Sequence, residues 1–330
     1  MRPVRPAGLT RPLLFTVLFS ILVACCATLA AAGSPGPADR RADAMTLGQA
    51  TILGIVEGFT EYLPVSSTGH LLLAERFLKI GESPGPKAGI SERTREALDA
   101  YTICIQAGAI IAVLGLYFAR VLQMLRGLTG RDPEGQRILI NVLAGFLPAA
   151  VIGLLFNKLI KAYLFGPWPV VAAWLVGGLA ILLISWWRQC RGGAVRRGAP
   201  LSELTWKMAI LIGFAQCIAM WPGVSRSLVT ICGGLLVGLS MTAAVEYSFL
   251  LGVVTLGAAT AYDALKHGQV MVQTFDPVVL AVGLVFAFLA AVLSVKWMVG
   301  YLNRHGLAIF GYYRVALGLG VALLIANNLL

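Results

Sequence analysis

Apolar runs of about 20 residues, long enough to cross a hydrocarbon core as a helix, recur along this chain near 97–118, 138–156, 168–187, 244–262, 277–298 and 309–328. A water-soluble domain has no use for six such runs, because each would leave an apolar helix surface in water. Charged residues make up only 12% of the sequence and mean hydropathy is +0.82, whereas ordinary globular domains are about 25% charged. The sequence therefore predicts an all-α polytopic membrane protein with six transmembrane helices. The net charge of +11 fits Lys and Arg retained in cytoplasmic loops. These cations are scattered among short loops with no aromatic-interleaved basic face, which argues against a nucleic-acid partner. Cys25, Cys26, Cys104, Cys190, Cys217 and Cys232 form no Cys-x-x-Cys pair and read as small hydrophobes rather than as disulfides or a zinc site.

Two further apolar segments are interrupted, and the interruptions are polar. Residues 54–73 contain Glu57, Glu61, Ser66, Ser67, Thr68 and His70 around Pro64. Glu57 and Glu61 are four apart and share one face of a helix. Pro64 cannot continue that helix, and Pro-Val-Ser-Ser-Thr-Gly reads as a turn from which a hydroxyl can cap a second helix. Helices over 46–61 and 67–79 would be about 24 Å and 20 Å long, too short to span a core of about 30 Å. A re-entrant hairpin is expected instead, since irregular backbone at membrane depth is tolerated only around a protein-lined cavity. Residues 80–96 carry both charge signs and are expected to form a loop. Residues 203–240 form the second broken segment, with Pro222-Gly-Val-Ser-Arg226-Ser-Leu-Val-Thr230 at the break.

Charge asymmetry sets the expected topology. Arg120, Arg126, Arg131 and Arg137 lie in one loop and Arg188, Arg191, Arg196 and Arg197 in another two spans later, so both are assigned to the cytoplasm, as are Lys296 and Arg304. Trp168, Trp186 and Trp187 sit near span ends, as interfacial anchors do. Traced backward, the first broken segment begins and ends outside and the second inside. A shift of 159 places Gly54 on Gly213, Glu57 on Gln216, Ser66 on Ser225, Ser67 on Arg226 and Thr68 on Ser227. Each half then reads as a broken hairpin followed by three spans, an inverted-topology repeat with a site near mid-membrane. Repeat 1 covers about 45–187 and repeat 2 about 203–328, within a domain of 45–330. Residues 1–44 differ: Arg2, Arg5 and Arg11 precede an apolar run ending in small residues and a Gly-Ser-Pro-Gly-Pro linker. They read as a signal peptide, a retained anchor, or a leader before a start at Met45.

Ionisable groups at membrane depth are costly and read as functional. Two adjacent carboxylates repel, so one is protonated or a cation sits between them. A hard divalent metal would bridge carboxylate and phosphate oxygens, while proton coupling in a transporter is the competing use. Arg226 offers a fork of donors matched to phosphate, with Ser225, Ser227 and Thr230 as hydroxyl donors nearby. His70, three residues after Ser67, can act as base, acid or covalent nucleophile. His267 and His305 fall at expected loops without such company.

The stretches Glu57-Gly-Phe-Thr-Glu61-Tyr-Leu-Pro-Val-Ser-Ser-Thr-Gly-His70 and Pro222-Gly-Val-Ser-Arg226-Ser-Leu-Val-Thr230, with Phe310-Gly-Tyr-Tyr-Arg314, resemble the motifs of the undecaprenyl-diphosphatase family of bacitracin-resistance type. The resemblance covers about 45–328. It implies an enzyme hydrolysing undecaprenyl diphosphate to undecaprenyl phosphate and inorganic phosphate in the bacterial inner membrane, which recycles the carrier lipid for peptidoglycan and other cell-wall glycans. It also implies a site reached from the external, periplasmic side. On that resemblance Glu57 and Glu61 are the metal pair, served by Ca2+ or Mg2+, Ser67 the nucleophile or its aide, His70 its acid/base partner and Arg226 the phosphate clamp. Ser66, Thr68, Ser225, Ser227 and Thr230 would position phosphate oxygens, with Gln216 as a further contact. Whether Ser67, His70 or a water attacks stays open at this level. The expected partners are a polyprenyl diphosphate and membrane lipids, with a homodimer left open. The rival reading is an inverted-repeat secondary transporter or lipid-phosphate flippase, which would not need Ser-Ser-x-x-His beside Pro-Gly-x-Ser-Arg.

Overall fold

The computed structural model describes residues 45–81, 90–164, 166–190 and 198–329, without the side chains of 157–162; the expectations for 1–44 lie outside these. Helix α1 (Leu47–Thr60) and helix α2 (Ser67–Phe77) flank the first break, and α3 (Glu92–Cys104), α4 (Gln106–Leu116), α5 (Phe118–Leu128), α6 (Pro133–Leu164) and α7 (Pro167–Cys190) complete the first half. The second half has α8 (Trp206–Cys217), α9 (Arg226–Leu236), α10 (Met241–Thr274), α11 (Pro277–His305) and α12 (Ala308–Ala326). No strand occurs among the described residues; Ala199 and Leu239 form an isolated bridge.

Six helices are long and apolar enough to cross a membrane: 92–116 (α3 running into α4), 133–156 within α6, α7, α10, α11 and α12. By contrast α1 has 14 residues and α2 and α9 have 11 each, or about 21 Å and 16 Å, short of a bilayer core. Two details differ from the sequence expectation. Ser91 caps α3 by accepting from Thr94 N at 3.1 Å, so the expected loop over 80–96 ends early. His267, expected in a loop, lies within α10 with Nδ1 at 2.9 Å from Glu96 Oε1. Both follow from a polar helix end extending past the apolar run that marked the span.

The two halves pack in the same way. α1 lies along α11, and α8 along α6. A Cβ on Gly54 would meet the backbone of Gly283, and one on Gly213 the backbone of Gly145. Tyr101 of α3 and Tyr247 of α10 bring their hydroxyls to Gly283 and Gly145 respectively. Without a hydrophobic drive between helices in lipid, small residues that let backbones approach hold such seams together. Polar caps add to them: Ser294 Oγ donates to Gly58 O at 2.9 Å, Asn141 Nδ2 to Leu204 O at 2.7 Å and Tyr247 OH to Asn141 O at 2.8 Å. α7 and α12 lie against one another, and between these pairs the two breaks meet.

Candidate active site

The turn that follows α1 and the turn that precedes α9 are built alike. Glu61 caps the end of α1, its N–H still bonded to Glu57 O at 2.9 Å, and the chain turns through Tyr62–Val65. Ser66 then adopts φ 76° and ψ 101°, and Ser225 adopts φ 80° and ψ 116°. Positive φ is uncommon for a residue with a Cβ, and such conformations cost about 1–3 kcal/mol and persist where surrounding structure enforces them. Each serine caps the helix it starts: Ser66 Oγ accepts from Gly69 N at 3.5 Å, Ser225 Oγ from Leu228 N at 3.3 Å. Ser67 and Arg226 thereby become the first residues of two helices whose starts meet at one side chain.

Glu61 joins them. Ser67 Oγ donates to Glu61 Oε2 at 2.5 Å, and Arg226 Nη2 donates to Glu61 Oε1 at 3.3 Å. All three side chains are buried, so the Arg226 charge is matched by the carboxylate where water is scarce; removing either partner would strand the other. Arg226 is further fixed by donating from Nη1 to Ser248 O at 2.9 Å, and its Cζ stands 5.2 Å from the centre of the Tyr62 ring. A Cβ at Gly252 would overlap the guanidinium, so a glycine is needed at that point of α10. Arg226 Nε has no partner among the described residues, which leaves part of the donor fork free.

The other expected site residues divide into two groups. Ser227 Oγ donates to Leu63 O at 2.8 Å and lies 2.9 Å from Ser225 Oγ. Thr230 Oγ1 lies 2.8 Å from Arg226 O and 2.6 Å from Ser248 Oγ. These hydroxyls bond to protein: Ser227 ties the second break to the first turn, and Thr230 ties α9 to α10. Thr68 is exposed, apart from the buried cluster. Gln216 is buried, with Oε1 accepting from Thr255 Oγ1 at 3.3 Å and Nε2 unpartnered among the described residues. Glu57 is fully buried, and neither carboxylate oxygen has a partner there.

His70 does not meet Ser67. Its Nδ1 is 2.6 Å from Ser66 O and its Nε2 2.7 Å from Tyr313 OH. The ring stacks on Tyr313, with an interplanar angle of 6° and a centroid separation of 5.8 Å, and meets the Trp174 edge at 5.7 Å. The hydrogen-bond acceptor beside the Ser67 hydroxyl is thus Glu61 rather than His70. The spacing Ser67–His70 could not reveal this, because on α2 the imidazole folds back to a backbone carbonyl.

No cluster of three or more His, Cys, Asp or Glu occurs among the described residues. Glu57 nevertheless offers two buried oxygens without partners, one turn from Glu61. Such an all-oxygen pair fits a hard divalent cation that keeps its other positions for phosphate or water.

Arg314 is the residue whose place the sequence least foretold. It is fully buried; Nη2 donates to Ala173 O and Gly223 O at 2.8 Å each, and Nη1 to Pro64 O at 3.4 Å. One guanidinium on α12 thus ties both breaks to α7, and a Cβ at Gly177 would overlap it. An arginine inside an apolar span was one signal, and the quoted motif stretches contain Tyr62, Tyr313 and Arg314; Ser248 and Gly252 gave none. Beside the cluster an apolar groove of about 150 Å³ runs between α2, α7 and α12, lined by Gly69, Leu73, Arg76, Val170, Trp174 and Val321 among others.

Residues 50–320 match the family profile described as bacitracin resistance protein BacA. The chain is 46% identical over 271 residues to an undecaprenyl-diphosphatase of Sorangium cellulosum, covering 82% of this chain and 83% of that protein. It is 44% identical over 279 residues to undecaprenyl-diphosphatase 2 of Rhodospirillum rubrum (84% and 95% covered), and 46% over 270 residues to an undecaprenyl-diphosphatase of Rhodopseudomonas palustris (82% and 94% covered). With six spans and a match over most of its length, the chain is a multi-pass membrane protein that belongs to the bacitracin resistance protein BacA family.

Proposed function

We propose that this protein hydrolyses undecaprenyl diphosphate to undecaprenyl phosphate and inorganic phosphate, returning the carrier lipid to cell-wall synthesis, and that its abundance sets bacitracin resistance. The observation that carries this reading is the bonded series Ser67–Glu61–Arg226, in which a hydroxyl and a phosphate-binding cation from two distant segments share one buried carboxylate that can accept a proton. The relatives' names supply the substrate.

In this mechanism the guanidinium of Arg226 binds the oxygens of the terminal phosphate, for which its planar fork is suited. Ser67 Oγ attacks the terminal phosphorus as its proton passes to Glu61 Oε2. The new O–P bond forms while the bridging P–O bond breaks, and undecaprenyl phosphate leaves with the electron pair. Water then hydrolyses the phosphoserine to inorganic phosphate and regenerates Ser67. Ca2+ or Mg2+ held by Glu57 and Glu61 would neutralise phosphate charge. The protein's own share is to hold Ser67 and Arg226 at helix starts that meet at one side chain, where backbone N–H groups also favour anions.

The groove beside Gly69 suits the first isoprene units, since it is apolar and adjoins the helix carrying Ser67. The arginine-rich loops support a cytoplasmic face for those loops, and the role of the family favours an inner-membrane enzyme whose site opens to the periplasm. The matched bounds of α2 and α9 under a shift of 159, the twin serine conformations and the exchanged packing of α1 on α11 and α8 on α6 support re-entrant hairpins in an inverted repeat of about 45–187 and 203–328. Phosphate release from undecaprenyl diphosphate by the purified protein in detergent, with divalent cation or with chelator, tests the whole reading. A folded preparation that releases none in Ca2+ or Mg2+ would overturn it.

A further inference from the structure

We infer that Tyr313 is a positioning residue for the hydrolysis proposed above, acting on the site through His70; the inference rests on that reading for its kinetic consequence but not for its structural one. Ser66 O can only accept, so the Nδ1 atom 2.6 Å away carries a hydrogen. In the neutral ring Nε2 then holds a lone pair, and the phenol of Tyr313 at 2.7 Å is the group that donates to it. Both ring nitrogens are thus committed, one to the backbone of the first break and the other to α12.

The contact reaches Ser67 by a short route. Ser66 holds a positive-φ conformation immediately before Ser67, and its carbonyl is fixed by the imidazole N–H. The imidazole is kept in one orientation by the Tyr313 hydroxyl, by stacking on the Tyr313 ring and by the Trp174 edge. Trp174 in turn donates from Nε1 to Val65 O at 3.2 Å. Tyr313 and Arg314 are consecutive on α12, so one helix sets both breaks through Arg314 and the Ser66–Ser67 pair through Tyr313 and His70. Tyr313 is 45% exposed, so its hydroxyl also stands between Nε2 and anything arriving from outside the cluster.

Tyr313→Phe keeps the stacked ring and removes only the donor. Two readouts on the full-length protein decide the matter. The first is acylation of His70 by diethyl pyrocarbonate, followed by mass spectrometry of the His70 peptide with the His267 and His305 peptides as internal references. Loss of the hydroxyl should speed His70 modification about three- to tenfold, the range of one neutral hydrogen bond, and leave the other two unchanged. The second is steady-state phosphate release, where kcat should fall about three- to tenfold with KM nearly constant. An unchanged His70 acylation rate overturns the contact itself. A faster acylation with unchanged kcat overturns the positioning role, as does a rise in KM alone. If the parent protein turns over no substrate, the hydrolytic reading fails, while the acylation arm still decides the Tyr313–His70 contact. Tyr313→Leu, which also removes the stack, should exceed Tyr313→Phe in both readouts; the reverse order would also overturn the inference.

Discussion

Between Gly54 and Leu73 the chain carries two carboxylates, two serines and an imidazole; between Gly213 and Thr230, on a backbone matched even to a positive-φ serine, it carries a glutamine and an arginine. Ser67 faces the pattern where its counterpart is Arg226, and Glu57 where its counterpart is Gln216. The same fold element thus presents an anionic surface in one half and a cationic one in the other. Chemistry follows from their meeting, because Glu61 accepts from both Ser67 and Arg226. Glu61 itself has Met220 as its counterpart, so the carboxylate that joins the halves exists in only one of them.

The largest effect should come from breaking that division at its cation. Arg226→Lys replaces a fork by a point charge and should lower kcat/KM about 10²- to 10³-fold, measured as phosphate release; near-normal turnover would make the arginine structural. Next is Arg314→Met, which frees three carbonyl oxygens from both halves and α7. Unfolding followed in detergent should show a loss of about 3 kcal/mol, and an unaltered transition would mean the breaks hold each other without it.

Glu57→Gln makes the first half resemble the second. The divalent-cation titration of activity should move to about tenfold higher concentration, without a lower unfolding temperature, since a buried unpartnered carboxylate is removed. Glu61→Gln should also shift that titration, with loss of turnover; identical titrations for both variants and the parent would remove the metal from this pair. Gly54→Ala and Gly213→Ala test the likeness of the two seams. Each should cost about 1–3 kcal/mol by overpacking, and a large cost at only one would show that the halves are held differently. The smallest change is expected for Thr68→Ala, within about 0.5 kcal/mol in stability because the residue is exposed, and with activity nearly unchanged.

Much of this arrangement is local and was legible as such. The spans follow from apolar runs, the breaks from Pro64 and Pro222-Gly223, and the helix starts from Ser66 and Ser225, because each depends on hydropathy or capping within a few residues. The sequence likewise pointed to Glu57, Glu61, Ser67 and Arg226, since ionisable groups in an apolar segment are costly without a use. The hydroxyls of Ser225, Ser227 and Thr230, which the resemblance assigns to phosphate oxygens, bond to protein neighbours that no spacing could name. Spacing also paired Ser67 with His70, because neighbours on one turn of a helix look like partners on paper.

What tertiary structure decided was which distant groups satisfy one another. Arg226 meets Glu61 across 165 residues, Arg314 meets Pro64 O across 250, and His70 meets Tyr313 across 243. A carbonyl oxygen has no residue identity, so nothing in the sequence could name Pro64, Ala173 and Gly223 as the acceptors for Arg314. The broken segment at 54–73 was recognisable by itself as a site with unpaired charge. Only the packing of α2 against the breaks, α7 and α12 determined that its serine answers to Glu61, and that its histidine answers to a tyrosine from the far end of the chain.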